Sequence, residues 1–91
     1  MADPIRDNVA LSRFELDLDA GVAVVAYRLL PGAITLVHTE VPAEVRGSGV
    51  GSDFVGRVLE QVRRRGLKMV PQCSFIRAFM AKNPQFNDLL Y

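Results

Sequence analysis

Hydrophobic and polar positions change their rhythm once along this chain. Phe14, Leu16 and Leu18 alternate with Glu15, Asp17 and Asp19, the period of a half-buried strand. Asp19-Ala20-Gly21 is a turn signal. Val22 to Leu30, rich in valine and carrying Tyr27, reads as a second strand, antiparallel to the first. Pro31-Gly32 turns the chain again, and Ala33 to Val41 forms a third strand closed by Pro42. The stretch before this meander, Met1 to Leu11, is mixed and reads as an irregular lead-in.

After Pro42 the period lengthens. Val50, Phe54, Val55, Val58, Leu59 and Val62 recur at spacings of three and four, the apolar stripe of a helix. Arg63-Arg64-Arg65 occupy its last turn, where cations oppose the negative end of the dipole, and Gly66 fits a C-terminal cap. Leu67 to Val70 is a short fourth strand. A helix joins it to the third strand, so those two run parallel. Ser74 is placed to cap a short helix through Phe75, Ile76, Phe79 and Met80, which Asn83-Pro84 stops. Phe75, Phe79, Phe86 and Tyr91 are expected mostly in the core. The fold class is α/β (α+β): a mixed sheet in the order β-β-β-α-β-α, with antiparallel strands first and one parallel β-α-β unit last. Residues 1–91 are expected to form one domain.

Net charge is +1 over 91 residues, which gives no electrostatic footprint for nucleic acid or a membrane surface. No apolar run approaches the roughly 20 residues of a spanning helix. One cysteine, Cys73, excludes an internal disulfide and a multi-cysteine zinc site, so no metal is expected. A lone thiol with no secretory signal fits a reducing cytoplasm.

The most informative segment is Val45-Arg46-Gly47-Ser48-Gly49-Val50-Gly51, between the third strand and the long helix. Glycines allow close backbone approach, and a helix N-terminus offers unpaired N–H groups at the positive dipole end. Together they suit a phosphate or pyrophosphate. A dinucleotide fingerprint fails because Ser52 stands at its third glycine, and the Gly-Lys-Ser/Thr of a nucleotide-triphosphate loop is absent.

Arg46-x-x-Gly49-x-Gly51 resembles the R/Q-x-x-G-x-G/A signature of the GNAT superfamily of acetyl-coenzyme A-dependent N-acetyltransferases. The wider string, Val37-His38-Thr39-Glu40-Val41-Pro42, then Arg46-Gly47, then Pro71-Gln72-Cys73-Ser74-Phe75, is similar to the small single-domain members described as minimal acetyltransferases. The resemblance covers roughly residues 10 to 90. It implies acetyl-coenzyme A as co-substrate, its pyrophosphate held by Val41, Arg46, Gly47, Ser48, Gly49, Val50, Gly51 and Ser52. The two helices that usually separate the first two strands are replaced here by Asp19-Ala20-Gly21, which leaves the acceptor cleft open.

His38 and Glu40 are two apart, so they are expected on the face of Ile34 and Leu36. Cys73 follows the fourth strand. Both parallel strands end at one crevice, where ligands of open α/β sheets bind. Two mechanisms follow. An amine attacks the thioester directly, with His38 or Glu40 as base, or Cys73 first carries the acetyl group, its thiolate favoured by a nearby His38. The resemblance implies catalytic importance for Cys73 and His38. The acceptor is a small-molecule or protein amine, and the oligomeric state stays open between monomer and weak homodimer. A non-catalytic coenzyme A-binding module and a small interaction domain are the competing readings.

Overall fold

The computed structural model describes residues 4–91. The chain forms a five-stranded sheet in the sequential order β1 (Ile5–Asn8), β2 (Arg13–Leu18), β3 (Gly21–Leu30), β4 (Ala33–Glu40) and β5 (Lys68–Pro71). The first four strands pair antiparallel, and β4 pairs parallel with β5. Helix α1 (Val50–Arg64) joins β4 to β5, and α2 (Ser74–Lys82) follows β5. The order expected from the periodicity is therefore present, with one strand added. Within the stretch read as an irregular lead-in, Ile5–Asn8 pairs with β2; residues 1–3 of that stretch lie outside the described residues.

β1 carries a single apolar side chain, buried Ile5, so no alternation announces it. Side-chain chemistry anchors it instead. Arg6 Nη2 donates to Glu15 Oε1 at 2.7 Å, and Asn8 Nδ2 donates to Glu15 Oε2 at 3.1 Å.

Both helices cover one face of the sheet. Phe54, Val55, Val58, Leu59 and Val62 of α1 are fully buried against Phe14, Val25, Tyr27, Ile34 and Leu36, and Ile76 and Met80 of α2 join the same cluster. Each large side chain so buried contributes roughly 2 kcal/mol of transfer free energy, which fixes the position of α1 over the strands. Its C-terminus is locked by a paired cap. Gly66, at φ +68°, donates to the Arg63 carbonyl at 3.0 Å, and Leu67 donates to that of Val62 at 3.2 Å, the pattern of a glycine-terminated helix.

Two arginines of the last turn are structural. Arg65 Nη1 meets Asp7 Oδ2 at 2.9 Å, and Asp7 Oδ1 accepts from the Tyr27 hydroxyl at 2.6 Å. Arg63 Nη1 meets Asp88 Oδ2 at 2.5 Å and ties down the C-terminal segment, where Phe86 and Leu89 are buried. Of the aromatics expected in the core, Phe86 is there and Phe79 is partly buried, whereas Phe75 is 41% exposed and Tyr91 80% exposed.

Among the described residues, no helix covers the other face. It presents Arg6, Asn8, Arg13, Glu15 and Asp17 of β1 and β2, Val22 and Val24 of β3, and His38 and Glu40 of β4 in adjoining register.

Candidate active site

The geometry of β4 governs the site. Leu36 stands opposite Tyr27, but His38 stands opposite Ala26, so Val37 is an extra residue in the ladder. A bulge of this kind shifts the side-chain alternation by one. Ile34 and Leu36 point into the core beneath the helices. Beyond the bulge, Thr39 stands opposite buried Val25, on that same face, while His38 and Glu40 point to the uncovered one. The expectation that His38 and Glu40 share a face with Ile34 and Leu36 is thereby corrected. The side chains of His38 and Glu40 are 60% and 67% exposed, with Nε2 and Oε1 3.3 Å apart.

The parallel ladder between β4 and β5 ends at Leu36 opposite Pro71. The Leu36 carbonyl accepts from both Gln72 and Cys73 N–H, each at 3.1 Å. Past that shared acceptor the two strands part, and among the described residues the β5-facing edge of Val37 to Glu40 has no strand beside it.

Cys73 lies at the mouth of this opening. It is the N-cap residue of α2 (φ −76°, ψ 133°), and its carbonyl accepts the first helical bond from Arg77 at 3.0 Å. The capping position expected for Ser74 is thus occupied by the thiol residue, and Ser74 begins the helix proper. Cys73 Sγ lies 3.5 Å from the Thr39 hydroxyl. Burial pushes the thiol up, but hydrogen bonding from the Thr39 side chain and from the backbone at Ile76, Phe75 and Thr39 outweighs it and holds the thiol below its ordinary value. A helix N-terminus acts in the same direction. The polar partner of Cys73 is therefore Thr39. His38 is on the opposite face, so the local support of the thiolate differs from the Cys–His pairing expected. Thr39 went unnoticed in the sequence because nothing there marks the bulge that turns it toward Cys73.

The glycine segment lies at the same end of the sheet. Gly47 (φ +83°) and Gly49 (φ +91°) occupy left-handed backbone that disfavours side chains. Gly51 is required for space instead. A Cβ there would lie 2.9 Å from Phe75 Cζ and 3.3 Å from Val41 Cγ2. The first helical bond of α1 runs from Asp53 N–H to the Gly49 carbonyl at 3.0 Å. The amides of Gly51 and Ser52 precede it and have no carbonyl one turn earlier. They border a cleft of about 480 Å³, lined also by Val41, Arg46 and Phe75. Arg46 Nε donates to the Val41 carbonyl at 3.1 Å and braces the loop. Ser48 Oγ donates to the Val45 carbonyl at 2.5 Å. The Arg63–Arg65 run lies at the far end of α1, about 22 Å from Gly49 at 1.5 Å rise per residue.

A second cleft, of about 290 Å³, adjoins the first and is lined by His38, Thr39, Glu40, Val41, Arg46 and Phe75. The structure thus gathers the predicted residues around one end of the sheet, but on two sides of it. The glycine loop and the Thr39–Cys73 pair are on the helix side, and His38 and Glu40 are on the open side. Among the described residues, no three His, Cys, Asp or Glu side chains come together as metal ligands.

An antiparallel meander entering one β-α-β unit, with splayed parallel strands beside a glycine-rich helix start, is the architecture of an acetyltransferase domain. A profile of the GCN5-related N-acetyltransferase family matches residues 13–89, and the chain belongs to that family. A GCN5-like candidate N-acetyltransferase from Staphylococcus aureus, solved in solution by NMR, superposes with a TM-score of 0.73 at 27% identity. The alignment covers 100% of this chain and 91% of that one. The chain is accordingly an N-acetyltransferase, and the family implies acetyl-coenzyme A as acetyl donor.

Proposed function

We propose that this chain acetylates an amine by direct transfer across the gap between β4 and β5, with donor and acceptor arriving from opposite faces of the sheet. The observation that carries this reading is the bulge at Val37, because it divides the polar groups into two sets with complementary tasks. On the helix side, the amides of Gly51 and Ser52 hold the pyrophosphate at the positive end of α1, and Gly47 and Gly49 let the backbone close around it. The thioester then lies in the gap beyond Leu36, where backbone amides of β4 polarise its carbonyl. On the open side, His38, oriented by Glu40, accepts the proton of the attacking amine.

As the new C–N bond forms and the C–S bond breaks, coenzyme A leaves as a thiolate. The Cys73 S–H, on the donor side and held below the ordinary thiol range, supplies a proton to it. The same depressed thiol supports a second reading, in which the Cys73 thiolate attacks the thioester, coenzyme A departs, and the amine then takes the acetyl group from Cys73. Rapid quench with intact-protein mass measurement separates the two. Acetyl-Cys73 formed in the absence of acceptor supports the second reading; none, with turnover intact, supports the first.

Because no helix among the described residues covers the open face, acceptors as large as a protein tail fit beside His38 as readily as a small amine. The decisive experiment is calorimetric titration with acetyl-coenzyme A, with dephospho-coenzyme A as control, followed by turnover with a panel of amines. Saturable one-to-one binding with turnover is the expected result. Binding without turnover on any amine would favour a cofactor-holding module. No binding by the folded protein would overturn the proposal.

A further inference from the structure

The charged groups of the open face are matched with one exception. Arg6 pairs with Glu15 and Asp17, Arg13 pairs with Glu15, and His38 pairs with Glu40. Lys68 Nζ, on β5, donates to the Asp88 carbonyl at 2.6 Å. Among the described residues, Arg28 is the cation of this face that has no ion pair or hydrogen bond from its side chain, and it is exposed. Its neighbours on β3, Val25 and Tyr27, belong to the core, so Ala26 and Arg28 point to the open side.

The register places this free cation beside the transfer gap. Glu40 stands opposite Val24, His38 opposite Ala26, and Arg28 opposite Thr35, the residue before Leu36. The gap opens just past Leu36. Along the seam between β3 and β4 the order is therefore Glu40, His38, Arg28: a carboxylate, the proposed base, a guanidinium. Arg28 lies about 7 Å along β3 from Ala26 at the rise of a strand, and a diagonal neighbour of His38 is within reach of a long side chain. Between them the seam is floored by short side chains, buried Val24 and half-buried Ala26, so nothing tall stands between His38 and Arg28 on β3.

We infer that the acceptor is an amine that also carries a carboxylate, an amino acid, with its carboxylate on Arg28 and its amine at His38. This rests on the direct-transfer reading above and names its substrate class. A guanidinium takes a carboxylate through two parallel N–H donors, and Arg28 has no partner on the protein to give up first. Glu40 at the other end of the seam repels the carboxylate, so the acceptor lies one way round, with its amine toward the gap. A diamine would set its second cation against Arg28 and is disfavoured. The amide product keeps the carboxylate and has no ammonium.

Matched acceptors test this: L-alanine with ethylamine, L-phenylalanine with phenethylamine, and 4-aminobutyrate with propylamine. Steady-state turnover is measured for the wild type, Arg28→Ala and Arg28→Lys, with thermal unfolding and acetyl-coenzyme A affinity as controls on each variant. In at least one pair the wild type is expected to show a KM about tenfold lower for the carboxylated member. Arg28→Ala is expected to raise that KM about tenfold, to hold kcat within about twofold, and to move the partner amine by less than about twofold. Arg28→Lys keeps the charge without the fork and is expected to return the KM to within about threefold of the wild type. An equal effect of Arg28→Ala on both members of a pair, no effect on either, or a wild-type preference for the amines without a carboxylate would overturn the inference. No turnover of any pair by protein that binds acetyl-coenzyme A overturns the inference and leaves the cofactor reading in place. Folded protein that binds no acetyl-coenzyme A overturns both.

Discussion

The two faces of the sheet are stabilised by different physics. The helix-covered face is held by apolar burial, with Phe14, Ile34 and Leu36 packed under Phe54 and Leu59. Among the described residues, the open face has no second layer. At its centre Glu15 is only 4% exposed although it carries a charge. Arg6, Arg13 and Asn8 hydrogen-bond its two oxygens, and Arg6 also pairs with Asp17. Side chains of these residues, with Val22 and Val24, cover the strands laterally. The difference teaches how a small domain keeps one sheet face free. A lattice of paired charges costs less apolar material than a helix layer, and it leaves the flank beside His38 and Glu40 accessible to an acceptor.

The largest effect that separates the faces is expected from Phe54→Ala. Removing a fully buried ring beneath α1 costs about 3–5 kcal/mol. In a domain of this size that is a large part of the total stability. Urea titration followed by circular dichroism checks it. An equally large loss from Arg13→Ala on the open face would break the comparison, because charge pairing would then count as heavily as burial.

Next in size is the loss of chemistry on the donor side. Cys73→Ala is expected to keep acetyl-coenzyme A affinity within about twofold while turnover falls by about a hundredfold, the lower end of acid–base contributions. Full activity in that variant would remove the thiol from the mechanism. On the acceptor side, His38→Ala is expected to lower turnover about tenfold, since solvent substitutes more easily for an exposed base. Unchanged turnover would assign the base elsewhere. Opposite signatures in these two variants, with Cys73 altering the leaving step and His38 the attacking one, would sharpen the division of labour between the faces.

Much of this arrangement was legible in the chain. The three-and-four spacing from Phe54 to Val62 placed α1 and its buried stripe. The change of period at Pro42 marked the step from meander to β-α-β unit. The glycines marked the loop, and the structure adds that they serve two purposes: left-handed backbone at Gly47 and Gly49, and space for Phe75 at Gly51.

What was hidden depends on partners distant in sequence. β1 is a strand because Glu15 accepts from Arg6 and Asn8, and no periodicity records that. The bulge at Val37 inverts the alternation of β4 without any residue that signals it, so His38 and Glu40 exchanged faces with Thr39. Ser74 has the better capping side chain, yet Cys73 takes the cap because its own N–H is held by the Leu36 carbonyl of the neighbouring strand. Phe75 fits the apolar spacing of α2 through Phe79, and only the packing of α2 against Gly51 leaves it at the mouth.

The smallest expected effect tests the charge lattice itself. The Arg6 guanidinium first, then that of Arg13, hold the Glu15 carboxyl at about 2 against the opposing push of burial, with a lesser contribution from the amide of Asn8. A carboxylate depressed in the folded state stabilises the protein fully above its unfolded value of about 4.3. That stability is lost as pH falls through the folded value. The Glu15 contribution is therefore expected to be constant at neutral pH and to fade between about pH 4.5 and pH 2. Asp88, lowered by its hydrogen bond from Arg63, acts in the same direction and sets a background slope. Glu15→Gln keeps the side-chain shape and removes the charge, so its urea midpoint should lose part of the wild-type dependence in that acid window. At pH 7 the variant should be the less stable of the two, and near pH 2 the two midpoints should converge. If the acid slopes of wild type and Glu15→Gln coincide, the lattice is an exposed ornament of the strands. The open face would then be held by backbone pairing alone, and its difference from the helix face would reduce to the presence or absence of a core.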